Sequence, residues 1–165
     1  MKKLLGSDLD FTPVDPQYFK VLRLNALLIS AFLVLPPLIV AIIFGRDGFP
    51  GAIWWILFAV LLIISGITFV FAKRRAKAIG YLQCEDELLI RRGIMFHKLT
   101  VIPYGRMQQV NVEAGPFLNR YGLAKVSLIT ASAESAGSIP GISRTEAERL
   151  RTVLTALGNA RMEGL

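Results

Sequence analysis

Two uncharged apolar runs, residues 24–44 and 52–72, are separated only by Gly45-Arg46-Asp47-Gly48-Phe49-Pro50-Gly51, and neither holds an Asp, Glu, Lys, Arg or His. A helix rises about 1.5 Å per residue, so about 20 apolar residues cross a hydrocarbon core roughly 30 Å thick. Inside lipid every backbone N–H and C=O must be paired within the chain, which leaves helices as the solution for runs this apolar and this close together. The pattern predicts a two-helix transmembrane hairpin over about 24–44 and 52–72. Asp15-Pro16 reads as an N-cap and first-turn proline ahead of the first helix. Pro36-Pro37 predicts a kink near its middle, and Trp54-Trp55 suit the outer interface, where indoles anchor.

From Ile79 the period changes from helical to alternating. Short runs around Tyr81-Leu82 and over 88–92, 98–102, 107–113 and 125–131 read as strands, with a further short one around Ser138-Ile139. In 107–113, Val110 and Val112 are expected to face a core while Gln109, Asn111 and Glu113 face water. Val126 and Leu128 are expected inward in the next strand. Gly115-Pro116 and the stretch 117–122 read as turns. Ser143-Arg144-Thr145-Glu146 is a capping box opening a final helix. Ala147, Leu150, Leu154 and Leu157, helped by Val153, line one face of it, and Gly158 suits its stop. These elements predict an antiparallel sheet or partial barrel whose open end or face is covered by one amphipathic helix.

The division is therefore a membrane anchor over 1–78 and a small domain over 79–165. Charge follows the same division. Residues 1–78 hold nine basic and four acidic groups, residues 79–165 ten basic and eight acidic. Lys2, Lys3, Lys20 and Arg23 precede the first apolar run and Lys73, Arg74, Arg75 and Lys77 follow the second, while the loop offers only Arg46 beside Asp47. Basic flanks resist translocation, so both termini and the domain are expected in the cytoplasm, with the protein multi-pass in the membrane. The N-terminus is expected to be retained, because Asp8, Asp10, Pro13, Asp15 and Pro16 leave no apolar signal core after Lys2-Lys3. A nucleic-acid reader concentrates positive charge on its folded domain; here the excess lies at the membrane edge, which argues against nucleic acid as a partner.

Catalytic chemistry finds no foothold. One Cys, Cys84, and one His, His97, exclude an internal disulfide and cannot make a Cys/His zinc site. Glycine-rich phosphate loops, nucleophile elbows and paired metal-binding histidines are missing from the sequence. No enzyme, metal or cofactor is expected. A channel or transporter subunit is disfavoured because neither membrane run carries an ionisable residue.

Several motifs in fixed order behind the membrane hairpin carry a resemblance. They are Tyr81, Leu88-Leu89-Ile90-Arg91-Arg92-Gly93, Ile102-Pro103-Tyr104-Gly105-Arg106-Met107-Gln108-Gln109-Val110, Gly115-Pro116, Tyr121-Gly122-Leu123, Ile129-Thr130-Ala131 and Ile139-Pro140-Gly141-Ile142-Ser143. The stretch resembles the bacterial pleckstrin-homology (PH) domain of YdbS-like membrane proteins. The resemblance implies an α+β membrane protein: a transmembrane hairpin, then a PH-like antiparallel β-barrel or sandwich of about seven strands capped by a C-terminal helix. It also implies a non-catalytic binding or assembly module, working as a homo-oligomer or with a larger membrane protein carrying several similar domains. Phosphoinositide readers of the wider PH class use a basic loop between their first strands; Cys84-Glu85-Asp86-Glu87 departs from that, and three carboxylates repel a polyphosphate.

Two surfaces are candidates for contact. Arg91, Arg92, Met95, Phe96 and Lys98 on a hairpin, together with Arg106, are the types enriched at protein interfaces, and apolar Ile94-Met95-Phe96 at a turn tip is unusual. Lys73, Arg74, Arg75 and Lys77 form a run suited to anionic lipid at about 1 kcal/mol per basic residue. The lipid bilayer is the remaining expected partner.

Overall fold

The computed structural model describes residues 10–44, 49–130 and 133–163. Lys2, Lys3, the loop residues Arg46 and Asp47, and Ala131 of the expected strand lie outside the described residues. The membrane hairpin consists of α1 (Tyr18–Phe44) and α2 (Phe49–Lys77), each long and apolar enough to cross a membrane. α1 runs unbroken through Pro36 and Pro37. It begins after an Asp15-Pro16 turn, in which the Asp15 carboxylate accepts the Gln17 N–H at 2.7 Å and the Asp15 carbonyl accepts the Tyr18 N–H at 3.0 Å. Ser30 and Thr68 return their hydroxyls to the carbonyls of Leu27 and Ser65, so both are satisfied by their own helices. Arg23 lies over the rings of Phe19 and Phe69, at 5.2 and 4.8 Å.

The hairpin, Phe19–Lys73, is one compact unit; the other joins the residues up to Tyr18 with Arg74 onward. In that second unit, β1 (Thr12–Pro13), β2 (Gly80–Gln83), β3 (Glu87–Arg92) and β4 (Lys98–Pro103) make one antiparallel sheet in chain order. β5 (Met107–Glu113), β6 (Leu123–Thr130) and β7 (Ala133–Ser143) make a second, and α4 (Arg144–Glu163) follows. The fold is thus a two-sheet sandwich with a C-terminal helix, with seven strands among the described residues. The sequence places residues 1–78 with the anchor, but β1 pairs with β2, Thr12 opposite Tyr81 and Pro13 opposite Gly80. A two-residue strand containing a proline carries no period, and its partner is reached only across the whole membrane hairpin. Packing holds it instead: Val14 joins the core, and the Asp15 N–H donates to the Gly141 carbonyl at 2.8 Å. Gly141 has φ +74°, and a Cβ there would collide with the Tyr18 ring, so both its backbone and its space require glycine.

The core is filled from three sides: Leu88, Ile90, Ile102 and Tyr104 from the first sheet and the turn after it, Val126, Leu128 and Ile139 from the second, and Ala147, Leu150 and Leu154 from α4. Val110 and Val112 pack against it, as the alternation of β5 predicts. Three readings of the sequence are corrected. Residues 117–122 are not simply a turn, because Pro116–Arg120 is a short helix, α3, opened by proline at its start. The short strand at Ser138-Ile139 is the middle of an 11-residue strand, whose Ser, Gly and Pro content hides its period. Gly158 does not stop the last helix, which continues to Glu163. Gly158 is buried, and a Cβ there would meet only the Tyr104 carbonyl at an ordinary van der Waals distance. Cys84 sits after β2 in a turn, its N–H donating to the Glu87 carbonyl at 2.9 Å.

Only one arm of the capping box matches the expectation. Ser143 Oγ accepts the Glu146 N–H at 3.3 Å. The Glu146 carboxylate is engaged elsewhere, accepting from the Tyr81 hydroxyl at 2.9 Å and from Arg149 at 2.7 and 2.8 Å. This clasp ties the start of α4 to β2. The hydrogen bonds from Arg149 hold the Glu146 carboxyl below its usual range, and burial, then the bond to Glu146, pushes Tyr81 up to about 12.

Candidate functional site

β3 and β4 pair from Glu87 opposite Pro103 to Arg92 opposite Lys98, and the turn 93–97 closes them. Gly93 starts the turn at φ +107°, where a Cβ would strike the Phe96 carbonyl. Only glycine admits that reversal, and it drives Met95 and Phe96 to the apex, 81% and 85% exposed. Ile94 is half-buried and His97 exposed.

The two arginines of β3 point to opposite faces, as strand alternation requires. Arg91 lies over the Phe11 ring at 4.6 Å. Arg92 reaches β7, donating to the Ser138 carbonyl and, at 2.9 Å, to the Ser138 hydroxyl. Burial lowers the pKa of this guanidinium from its ordinary value. Arg92 therefore ties the two sheets together from the root of the hairpin. Lys98 is exposed across from it. Among the described residues β4 has a sheet neighbour on one side only, and along it Val101 is 46% exposed. Arg106, also exposed, follows in a 3-10 turn beyond Pro103, the far end of β4, which lies about 17 Å from Lys98 at roughly 3.3 Å per residue. The structure thus gathers Arg91, Arg92, Met95, Phe96 and Lys98 on one hairpin and leaves Arg106 at the other end of it.

Lys73, Arg74, Arg75 and Lys77 are all exposed on the last turns of α2. Arg75, with Ala78 and Ile79, forms one wall of a shallow cavity of about 390 Å³ whose other wall is Arg92, Gly93, Ile94, Met95 and Phe96. The sequence gives these two groups as separate candidates, and no pattern in it brings them together. A second groove, about 250 Å³, runs between Met107–Val110 of β5 and Leu154–Asn159 of α4.

The acidic turn after β2 is structural. The Cys84 carbonyl accepts the Tyr104 hydroxyl at 2.9 Å and the Asp86 carbonyl accepts the Tyr104 N–H at 3.1 Å, which seats a fully buried tyrosine. Cys84 and His97 lie beyond opposite ends of β3, so they do not form a nucleophilic pair. Among the described residues no group of three His, Cys, Asp or Glu could hold a metal ion.

A family model described as Bacterial PH domain matches residues 21–157. The UPF0699 transmembrane protein YdbS of Bacillus subtilis (strain 168) is 35% identical over 145 residues, which cover 87% of this chain and 90% of that relative. No solved structure matches the chain significantly.

Proposed function

The chain belongs to the bacterial PH domain family and is a YdbS-like transmembrane protein, and from that premise we propose that it is a non-catalytic interaction module that assembles a membrane protein complex. The hairpin spans the cytoplasmic membrane, and both termini and the domain face the cytoplasm, as the basic residues flanking α1 and α2 favour. The partner is a second copy or a larger membrane protein carrying several PH-like domains.

One observation carries this reading: β4 is an edge strand that exposes Val101 between the cations Lys98 and Arg106 and leads into the apolar tip. Apolar and arginine side chains are those that protein interfaces favour. Lys98 and Pro103 at the strand's two ends disfavour simple ladder addition, so the contact is made by side chains. Extraction from the native membrane in mild detergent tests it. A complex with a second membrane protein in fixed ratio, or a multiple of 18.2 kDa, supports assembly; a monomer sinks it. Charge reversal at Lys98 and Arg106 is expected to dissociate the complex.

A second reading, an anionic-lipid module, is favoured by the cavity in which Arg75 meets the hairpin tip.

A further inference from the structure

Met95 and Phe96 are as exposed as Phe32, which stands at 82% on a helix that faces lipid. Outside the membrane hairpin, Val101 at 46% is the next most exposed large apolar side chain among the described residues. Two neighbouring side chains of this size held out into water are a poor solution for a soluble surface. Their surroundings point to a different solvent. They line one cavity with Arg75, Ala78 and Ile79, the end of α2 and the residues that leave it. Arg75 comes three residues after Ala72, where the uncharged run ends, so at about 1.5 Å per residue it lies about 4.5 Å further along the helix, and less in depth if the helix is tilted. The headgroup layer on each side of a bilayer is roughly 5–7 Å deep. Side chains that share a cavity with Arg75 therefore lie close to the level of the headgroups. Charge agrees: residues 88–112 contain no Asp or Glu, and neither do residues 73–79.

We propose that the turn 93–97 is an interfacial anchor, with Met95 and Phe96 seated at the boundary between headgroups and acyl chains and with Arg75 facing phospholipid phosphates. The proposal rests on reading the hairpin as a contact surface and divides it: the tip touches the bilayer, and the β4 flank is left for protein. The tip then holds the hairpin end of the domain down on the membrane, without any site shaped for one headgroup.

The unaltered full chain is reconstituted in vesicles of phosphatidylcholine and phosphatidylglycerol containing a photoactivatable acyl chain, irradiated and digested with trypsin. The peptide from Gly93 to Lys98 is expected to carry the lipid adduct; its absence from that peptide, with the membrane helices labelled, overturns the proposal. In a Cys84→Ser background, a nitroxide on Phe96→Cys is expected to collide several-fold more with oxygen than with a water-soluble nickel chelate, and one on Glu113→Cys to show the reverse. Nickel collisions at 96 equal to those at 113, or suppression of both reagents by covering protein, overturn it too. An embedded tip on a chain extracted alone leaves the anchor standing and removes the assembly reading. An aqueous or protein-covered tip in an intact complex does the opposite.

Discussion

Phe32 in α1 and Leu128 in β6 are both large and apolar, yet one is 82% exposed and the other wholly buried. The difference belongs to the two units they sit in. In the hairpin, large side chains such as Ile63 and Val70 point outward and small Ala41 is among the few buried residues, as expected where lipid is as apolar as leucine and burial gains little. In the domain, water drives the same residue types inward, and their period decides which face is covered. Apolarity is thus read by amount in the hairpin and by spacing in the domain.

The largest expected effect breaks the comparison if it fails. Leu128→Ala is expected to cost about 2–5 kcal/mol of domain stability by opening a cavity in a closed core, while Phe32→Ala leaves the domain unchanged. Hydrogen exchange of β6 amides in lipid nanodiscs reads both; equal effects would show that the two units do not differ as argued. Gly93→Ala comes next, at about 1–3 kcal/mol for a forced positive φ, with the Phe96 carbonyl in the way. Faster exchange confined to β3 and β4 is the expected signature. Ser143→Ala removes the hydroxyl that caps α4 and is expected to cost about 1 kcal/mol, read as earlier melting of α4 in circular dichroism.

The smallest effects are in pH. Glu146 titrates below its ordinary 4.5 in the fold, so its contribution is present above pH 4.5 and is lost as pH falls through the lower folded value. Tyr81 titrates at about 12 rather than 10.0, so its contribution is complete below pH 10 and is lost as pH rises towards 12. Glu146→Gln is expected to flatten the acid limb with only a small loss of stability, because its partner Arg149 lies in solvent. Tyr81→Phe should flatten the alkaline limb in the same denaturation series.

Much of the domain was legible before its structure. β5 alternates, α4 carries its apolar stripe at helical spacing, and Ser143 marks the start of α4. β7 was legible only at its centre, because Ser, Gly and Pro interrupt its alternation over most of its length. The candidate site was legible as residue types and not as an arrangement. Met95 and Phe96 stood out as apolar residues at a turn, but nothing in the chain says that Arg92 is spent on Ser138 or that Arg75 shares a cavity with the tip.

The sequence by itself determined the membrane hairpin, the period of β5 and the start and apolar face of α4. Each rests on interactions between residues a few positions apart, where composition and spacing act directly. Tertiary structure alone decided that β1, on one side of the hairpin, pairs with β2 on the other, and that the Glu146 carboxylate leaves its capping role for Tyr81. These depend on partners distant in the chain, whose gain in packing and hydrogen bonding outweighs a local preference that is worth about 1 kcal/mol or less.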